Sequence, residues 1–287
     1  MKRRRFLQIA AAAIACPRGA AASGWQGTAL GADVSVMLTG PGAEAALTRL
    51  RGTLDRMEAL FSLYRPSALT ALNATGSLSL PDPAFLALCR TADDAHRLTA
   101  GRFDPTVQPL WTALATGGDA TAARALIGWD RVQITPDRIA LAPGQALTFN
   151  GIAQGFATDV VTAELAAAGF THALVNVGEY RAIGGPWRIG LSDPAFGELA
   201  QTTLTGRAVA TSSPAAILVG GRPHILSADD TAPRWSTVSV TAPTAAQADA
   251  LSTAFCLLDR TAIRATLAAL PDTQARLIDA IGNLTTA

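Results

Sequence analysis

Lysine is all but absent from this chain, whose one example is Lys2. Beyond that residue, Schiff-base chemistry, a phosphate-loop lysine and a catalytic lysine are excluded. Cysteine is nearly as scarce, with residues at 16, 89 and 256 only. The last two are too few and too far apart for a zinc cluster or a disulfide framework. Cys89, in the apolar run 85–89, reads as a buried small hydrophobe, and Cys256 as core packing that falls near the face of Asp249, with lining a site as the alternative. The histidines at 96, 172 and 224 are scattered, and neither HExxH nor GxSxG occurs. Zinc-hydrolase and serine-hydrolase readings therefore lose their footing.

The chain begins Lys2-Arg3-Arg4-Arg5-Phe6-Leu7-Gln8, a twin-arginine pattern, and continues with an apolar run over residues 9–15 that is too short to span a bilayer. Ala20-Ala21-Ala22 supplies small residues for a signal peptidase. Residues 1–22 are thus expected to be a removable leader for export to a bacterial periplasm, and residues 23–287 one folded domain. Lipid anchoring at Cys16 is the alternative, although Ala13-Ile14-Ala15 is a poor lipobox and Pro17 follows awkwardly. Five of the 23 basic residues lie in that leader, which leaves 18 against 22 acidic ones. No basic footprint for nucleic acid remains.

Asn150-Gly151-Ile152-Ala153-Gln154-Gly155-Phe156-Ala157-Thr158-Asp159 reads as a strand passing through a glycine-flanked turn into a helix. Bare glycine backbone and the unpaired N–H groups of a first helical turn suit a phosphate, and suit equally a tight connection with no ligand. Far downstream, Thr244 is a predicted N-cap with Gln247 completing a capping box. Asp249 and Thr253 then stand at i and i+4 on one helix face, with Leu251, Phe255 and Leu258 turned mainly toward the core. A carboxylate and a hydroxyl on one face suit magnesium, which is usually held through one or two carboxylates plus substrate phosphates and water; a solvated face explains the same spacing.

Hydrophobic periodicity predicts strands over 33–38, 147–150, 173–177, 187–191, 207–210, 217–219 and 237–241, a hairpin from 130–134 and 138–142, and a closing strand over 276–280. Helices are predicted over 42–61, 83–98, from Gly155 to about 168, from Thr244 onward and over 261–269. Residues 116–120, centred on Gly117 and Gly118, read as an exposed loop between two lobes. Strands mixed irregularly with helices point to an α+β fold with mixed, largely antiparallel sheets and flanking helices.

Taken together, the two motifs resemble the ApbE family of magnesium-dependent FAD:protein FMN transferases. Further matches in the same order are Leu54-Asp55-Arg56-Met57-Glu58-Ala59-Leu60-Phe61-Ser62-Leu63-Tyr64-Arg65-Pro66-Ser67, Leu72-Asn73, Gly101-Arg102-Phe103-Asp104-Pro105-Thr106-Val107-Gln108-Pro109-Leu110, Leu174-Val175-Asn176-Val177-Gly178, Ala210-Thr211-Ser212 and His224. The resemblance implies a two-lobed single domain and assigns roles. Asp249, Thr253 and the backbone carbonyl of Ala153 would hold Mg²⁺. Leu30, Tyr64, Arg102, Phe103, Asp104, Asn150 and Phe156 would contact FAD, with Tyr64 and Phe103 as walls for a flat heterocycle. Asp104 before Pro105 is equally an ordinary turn former. His224 would assist catalysis.

The implied reaction is attack by a threonine hydroxyl of an acceptor flavoprotein on the FMN-side phosphorus of FAD, with release of AMP. Membrane association would come through that acceptor or a lipid anchor. Alternatives that share the pocket are a non-catalytic FAD-binding accessory protein and an FAD pyrophosphatase. The chain departs from the family pattern at Thr148, where an aspartate is usual, and at Gln154, where a lysine is usual. It departs also at Glu179 and Tyr180, for glycine and aspartate, and at Ser227 and Ala228, for aspartate and proline. Arg222 or Asp229 would be the substitutes for the missing charges.

Overall fold

A computed structural model describes residues 22–287. Residues 1–21 of the expected leader, Cys16 among them, lie outside the described residues. One eight-stranded sheet organises the rest, in the spatial order Ala22–Ala29, Ala32–Thr39, Ala173–Val177, Tyr180–Ile183, Ala208–Ser212, Thr237–Ala242, Gln274–Ile278 and Leu284–Thr286. Each neighbouring pair is antiparallel. The α+β expectation therefore holds, since a doubly wound fold requires parallel strands.

Alternation along the strands divides the apolar side chains between two faces. Val34, Val36, Val175 and Val177 join the main core under the helices, whereas Leu174, Tyr180, Ala182 and Val209 pack on the other side against Trp187, Ile189 and Leu204 of a separate hairpin. The Ala43–Phe61 helix buries Ala43, Ala46, Leu47, Leu50, Leu54, Met57, Leu60 and Phe61, the stripe that a 3.6-residue period demands. Its Phe61 meets Phe85 and Phe149 at centroid distances of 5.5 and 6.1 Å.

Two helices set the centre of the molecule, Ala153–Ala167 and Ala245–Phe255. The second lies between two cores. Ala246, Ala250 and Ala254 face the main cluster, while Ala248, Leu251 and Phe255 face another built on Val238 and Val240. At 100° per residue, Asp249, Ser252, Thr253 and Cys256 share the third side. The helices touch at Gly155, where an added Cβ would stand 2.3 Å from the carbonyl oxygen of Ala245. Only glycine permits that approach.

Several sequence expectations need correction. Residues 147–150 form no strand, because their backbone is satisfied elsewhere: Asn73 donates from Nδ2 to the Leu147 carbonyl (2.8 Å) and accepts the Leu147 N–H at Oδ1 (2.7 Å), and Thr148 N–H donates to Pro105 (2.8 Å). A side-chain amide here replaces a neighbouring strand. Residues 116–120 join two short helices, Gln108–Thr116 and Ala120–Arg124, through left-handed Gly117 and the N-cap Asp119. The predicted hairpin is shorter than 130–142, because Trp129–Arg131 is a 3₁₀ turn and the strands are Gln133–Ile134 and Arg138–Ala140. Strands Tyr180–Ile183 and Gly197–Leu204 and the helix Ala68–Thr75 escaped sequence reading; the strand expected over 276–280 is Gln274–Ile278, and a further strand, Leu284–Thr286, pairs beyond it. Thr244 does cap its helix, accepting the Gln247 N–H at 3.3 Å.

Candidate active site

The two central helices close each other's N-termini. Asp159, on the first, accepts the N–H groups of Ala245 (2.8 Å) and Ala246 (2.9 Å), and it pairs with Arg181. Asp249, on the second, accepts the Gly155 N–H at 3.0 Å. Each carboxylate meets the positive end of a helix dipole, and each aspartate fixes the other helix's start. The expected anion seat at the Ala153 helix is consequently shared already. Ala153 N–H donates to Phe149 and Gly155 N–H to Asp249.

The glycines serve a tight connection, one of the two readings their spacing allowed. A Cβ at Gly151 would lie 2.9 Å from Thr253 Oγ1, and one at Gly155 would run into the Ala245–Ala246 backbone. Both glycines are required for helix contact, and through that contact they bring Asp249 and Thr253 against the bend. Thr253 Oγ1 lies 3.3 Å from Ser212 Oγ, which is 2.8 Å from Ser252 Oγ. Cys256 sits one layer below with its thiol near the Ser252 and Ser212 carbonyls, fully buried, and burial pushes its pKa up. It is an inert part of the core.

Glu179 is the residue whose importance the sequence concealed. It is buried, like Asp249. Its Oε2 accepts the Thr211 N–H at 3.1 Å, just past the point where the Tyr180–Ile183 and Ala208–Ser212 strands stop pairing. Thr158 Oγ1 donates to the Glu179 carbonyl (3.0 Å) and accepts the Val177 N–H (3.2 Å), pinning the bend at Gly178. Tyr180, where the resemblance leads one to expect an acid, faces the opposite side of the sheet among Leu174 and Trp187. The acid on the helix side is Glu179. Burial, then the neighbouring charge of Asp249, raises the Glu179 pKa well above the carboxylate range against the pull of the Thr211 N–H. Burial also pushes Asp249 up to about 7, with the Gly155 N–H opposing and Asp159 adding to the rise.

Among the described residues neither acid forms an ion pair. Two buried carboxyl groups without a cationic side chain need a proton or a bound cation. That donor set, with the Thr253 hydroxyl beside it, fits a hard divalent ion. No cluster of three or more His, Cys, Asp or Glu side chains is arranged for a metal among the described residues.

The remaining sequence-predicted residues gather around this centre to differing degrees. Leu30, at φ 49 in the turn between the first two strands, donates its N–H to Glu58 Oε1 (2.6 Å) and accepts from Gln154 Nε2 (3.1 Å). Gln154 thereby ties that turn to the helix start, and its side chain occupies the space a Cβ at Gly178 would take. Asn150 reaches the exposed Tyr64 hydroxyl at 3.4 Å. Phe156 packs edge-on to Phe61. Phe103 is buried in the main core, so its ring has no open face for a heterocycle. Asp104 serves as a turn former, accepting the Thr106 N–H (2.8 Å) and hydroxyl (2.5 Å).

Arg102 grips Asp229 with two contacts of 2.7 Å and so links its segment to the loop after His224. Arg222 pairs with Asp230, which also takes Arg124. Both substitutes considered for the missing charges are therefore engaged with partners. His224 is half-buried, and its Nδ1 donates to the Pro214 carbonyl at 2.9 Å. That bond leaves Nε2 with its lone pair, and burial lowers the pKa, so the imidazole is neutral at pH 7. Pro214 lies two residues beyond Ser212, the partner of Thr253, which connects the histidine to the centre.

Comparison with known proteins agrees with this geometry. The sequence profile of the ApbE family matches residues 30–277. An FAD:protein FMN transferase of Rhodobacter capsulatus is 28% identical over 173 residues, which are 53% of this chain and 33% of that protein. The chain thus spans about a third of the length of that curated relative. Flavin transferase ApbE from Vibrio cholerae superposes with a TM-score of 0.81 at 23% identity, covering 94% of this chain and 97% of the other. The apo flavinyl transferase ApbE of Pseudomonas stutzeri gives 0.81 at 26%, covering 93% and 94%. The ApbE protein of Thermotoga maritima gives 0.82 at 24%, covering 93% and 97%.

Proposed function

The chain belongs to the ApbE family, and on that premise we propose that it transfers FMN from FAD to a threonine hydroxyl of an acceptor protein and releases AMP. The observation that carries this reading is the contact between the Ala245 helix and the glycine bend, with Asp249 on the Gly155 N–H and Thr253 against Gly151. It places an acid, a hydroxyl and a helix start at one point, as handling of a diphosphate requires.

Asp249, Thr253 and the Ala153 carbonyl are the groups that would hold Mg²⁺. When bound, that ion supplies charge neutralisation for the diphosphate and the leaving phosphate. Leu30 and Asn150 flank the helix start and orient FAD there. Arg102 acts through Asp229 to hold the loop carrying His224. His224 Nε2 takes the proton of the acceptor hydroxyl as its oxygen forms a bond to the FMN-side phosphorus; the bond from that phosphorus to the bridging oxygen breaks, and AMP leaves with the electron pair. Residues 23–287 act as one domain, exported by the twin-arginine leader to mature an electron-transfer protein in the periplasm.

Incubation with FAD, Mg²⁺ and an acceptor domain tests the reading. A covalent flavin adduct together with AMP supports it. AMP with free FMN identifies a pyrophosphatase, and FAD bound but intact identifies an accessory protein. Replacement of Arg3 and Arg4 by lysine should block export, and undiminished export would contradict the leader assignment.

A further inference from the structure

We propose that Glu179 supplies the cation with a second carboxylate, so that two acids from different parts of the fold, Glu179 and Asp249, hold one divalent ion. The inference rests on the cation reading above and adds a group to it. Three observations support it. Glu179 enters the site from the sheet, where two strands part, and occupies the gap with one oxygen on the Thr211 N–H at 3.1 Å. Its backbone is fixed by Thr158 from the first central helix, so the carboxylate is preorganised rather than swinging free. It adjoins the Asp249 helix, because the Thr211 that it holds precedes Ser212, whose Oγ lies 3.3 Å from Thr253 Oγ1 one turn beyond Asp249, and among the described residues no arginine pairs with either acid.

The alternatives for such a pair are weaker. Two buried carboxyl groups at one site destabilise the fold unless a proton or a cation offsets their charge. A purely structural acceptor for one backbone N–H needs no carboxylate, since an amide or hydroxyl would serve without the desolvation cost. Magnesium commonly takes one or two carboxylates and completes its octahedron with phosphate oxygens and water. Two acids, one hydroxyl and a carbonyl leave positions open for a diphosphate. The Ser212, Ser252 and Thr253 hydroxyls adjoin the same point.

Titration of the purified protein with Mn²⁺ alone, and again with FAD present, tests the proposal by direct binding, with free Mn²⁺ followed by electron paramagnetic resonance. Glu179→Gln keeps the shape and an acceptor for Thr211, so the fold should survive, which circular dichroism checks. The expected result is a loss of affinity of threefold or more in E179Q, with a smaller rise in Tm on adding Mn²⁺. Loss of less than threefold in E179Q, while D249N loses binding, would overturn this proposal and leave the cation reading intact. No uptake by the unsubstituted protein in either condition would overturn both. In crystals grown with Mn²⁺, an anomalous peak between the two carboxylates supports the proposal, and a peak on Asp249 with Glu179 still committed to Thr211 alone contradicts it.

Discussion

Two groups of acidic residues lie in this molecule under opposite conditions. At the surface, Asp229 and Asp230 are exposed and each has its arginine, from Arg102, Arg124 and Arg222. At the centre, Asp249 and Glu179 are buried and have none. Those arginine contacts hold the Asp229 and Asp230 carboxyls below their ordinary range, while burial drives the central pair above it. Charge already balanced at the surface has structure to maintain. Charge left unbalanced in the interior marks where a ligand of the other sign belongs.

The largest test of that contrast is Asp249→Ala, which should cut Mg²⁺-dependent AMP release on the order of 10³-fold, because several kcal/mol of charge stabilisation are lost with the ion. Release at an unchanged rate, followed by chromatography, would erase the distinction between the two groups. His224→Gln should lower kcat by about 10²–10⁴-fold with FAD affinity retained, as expected for a lost general base. A rise in KM alone would instead make the histidine a binding residue. Gly155→Ala forces a Cβ onto the Ala245 carbonyl and should cost about 1–3 kcal/mol or more in urea denaturation. A neutral result would mean that the helix contact does not set the centre.

Acidity separates the two groups of carboxylates as well. In metal-free protein, Asp249 titrates near 7 folded, against an ordinary 3.8. Between those values the folded state holds more protons than the unfolded one, so stability falls as pH rises from about 4 to about 7. The native protein should therefore lose ground against Asp249→Asn over that window in chelator, and Mg²⁺ should reverse the trend. A difference that stays flat would show that the central acid is not strained. The smallest effect belongs to the surface: Arg222→Gln should change stability by about 0–1 kcal/mol, since exposed pairs are screened.

Local patterns were the legible part of the sequence. The helices Ala43–Phe61, Pro83–Leu98 and Ala245–Phe255 carry apolar stripes, caps or both, and strands Ala173–Val177 and Thr237–Ala242 are largely buried segments with Val at alternate positions. Residues 147–150 misled because an apolar alternation says nothing about which partner satisfies the backbone, and Asn73 takes that part from 74 positions away. The i, i+4 spacing of Asp249 and Thr253 was readable within one helix. Glu179 was not, since its significance depends on an aspartate far along the chain and on a parting of strands. A hint lay in the Val177-Gly178-Glu179 order, an acid straight after a glycine at a strand's end. The reciprocal capping by Asp159 and Asp249 was equally hidden, for each works on the other's helix.

Calorimetric titration of FAD, with and without Mg²⁺, into the native protein and Asp249→Asn measures most directly whether the central acids exist to hold a cation against a diphosphate. Mg²⁺ should tighten FAD binding at least tenfold in the native protein, about 1.4 kcal/mol, and have little effect in the variant. Equal FAD affinity with and without Mg²⁺ in the native protein would contradict that role.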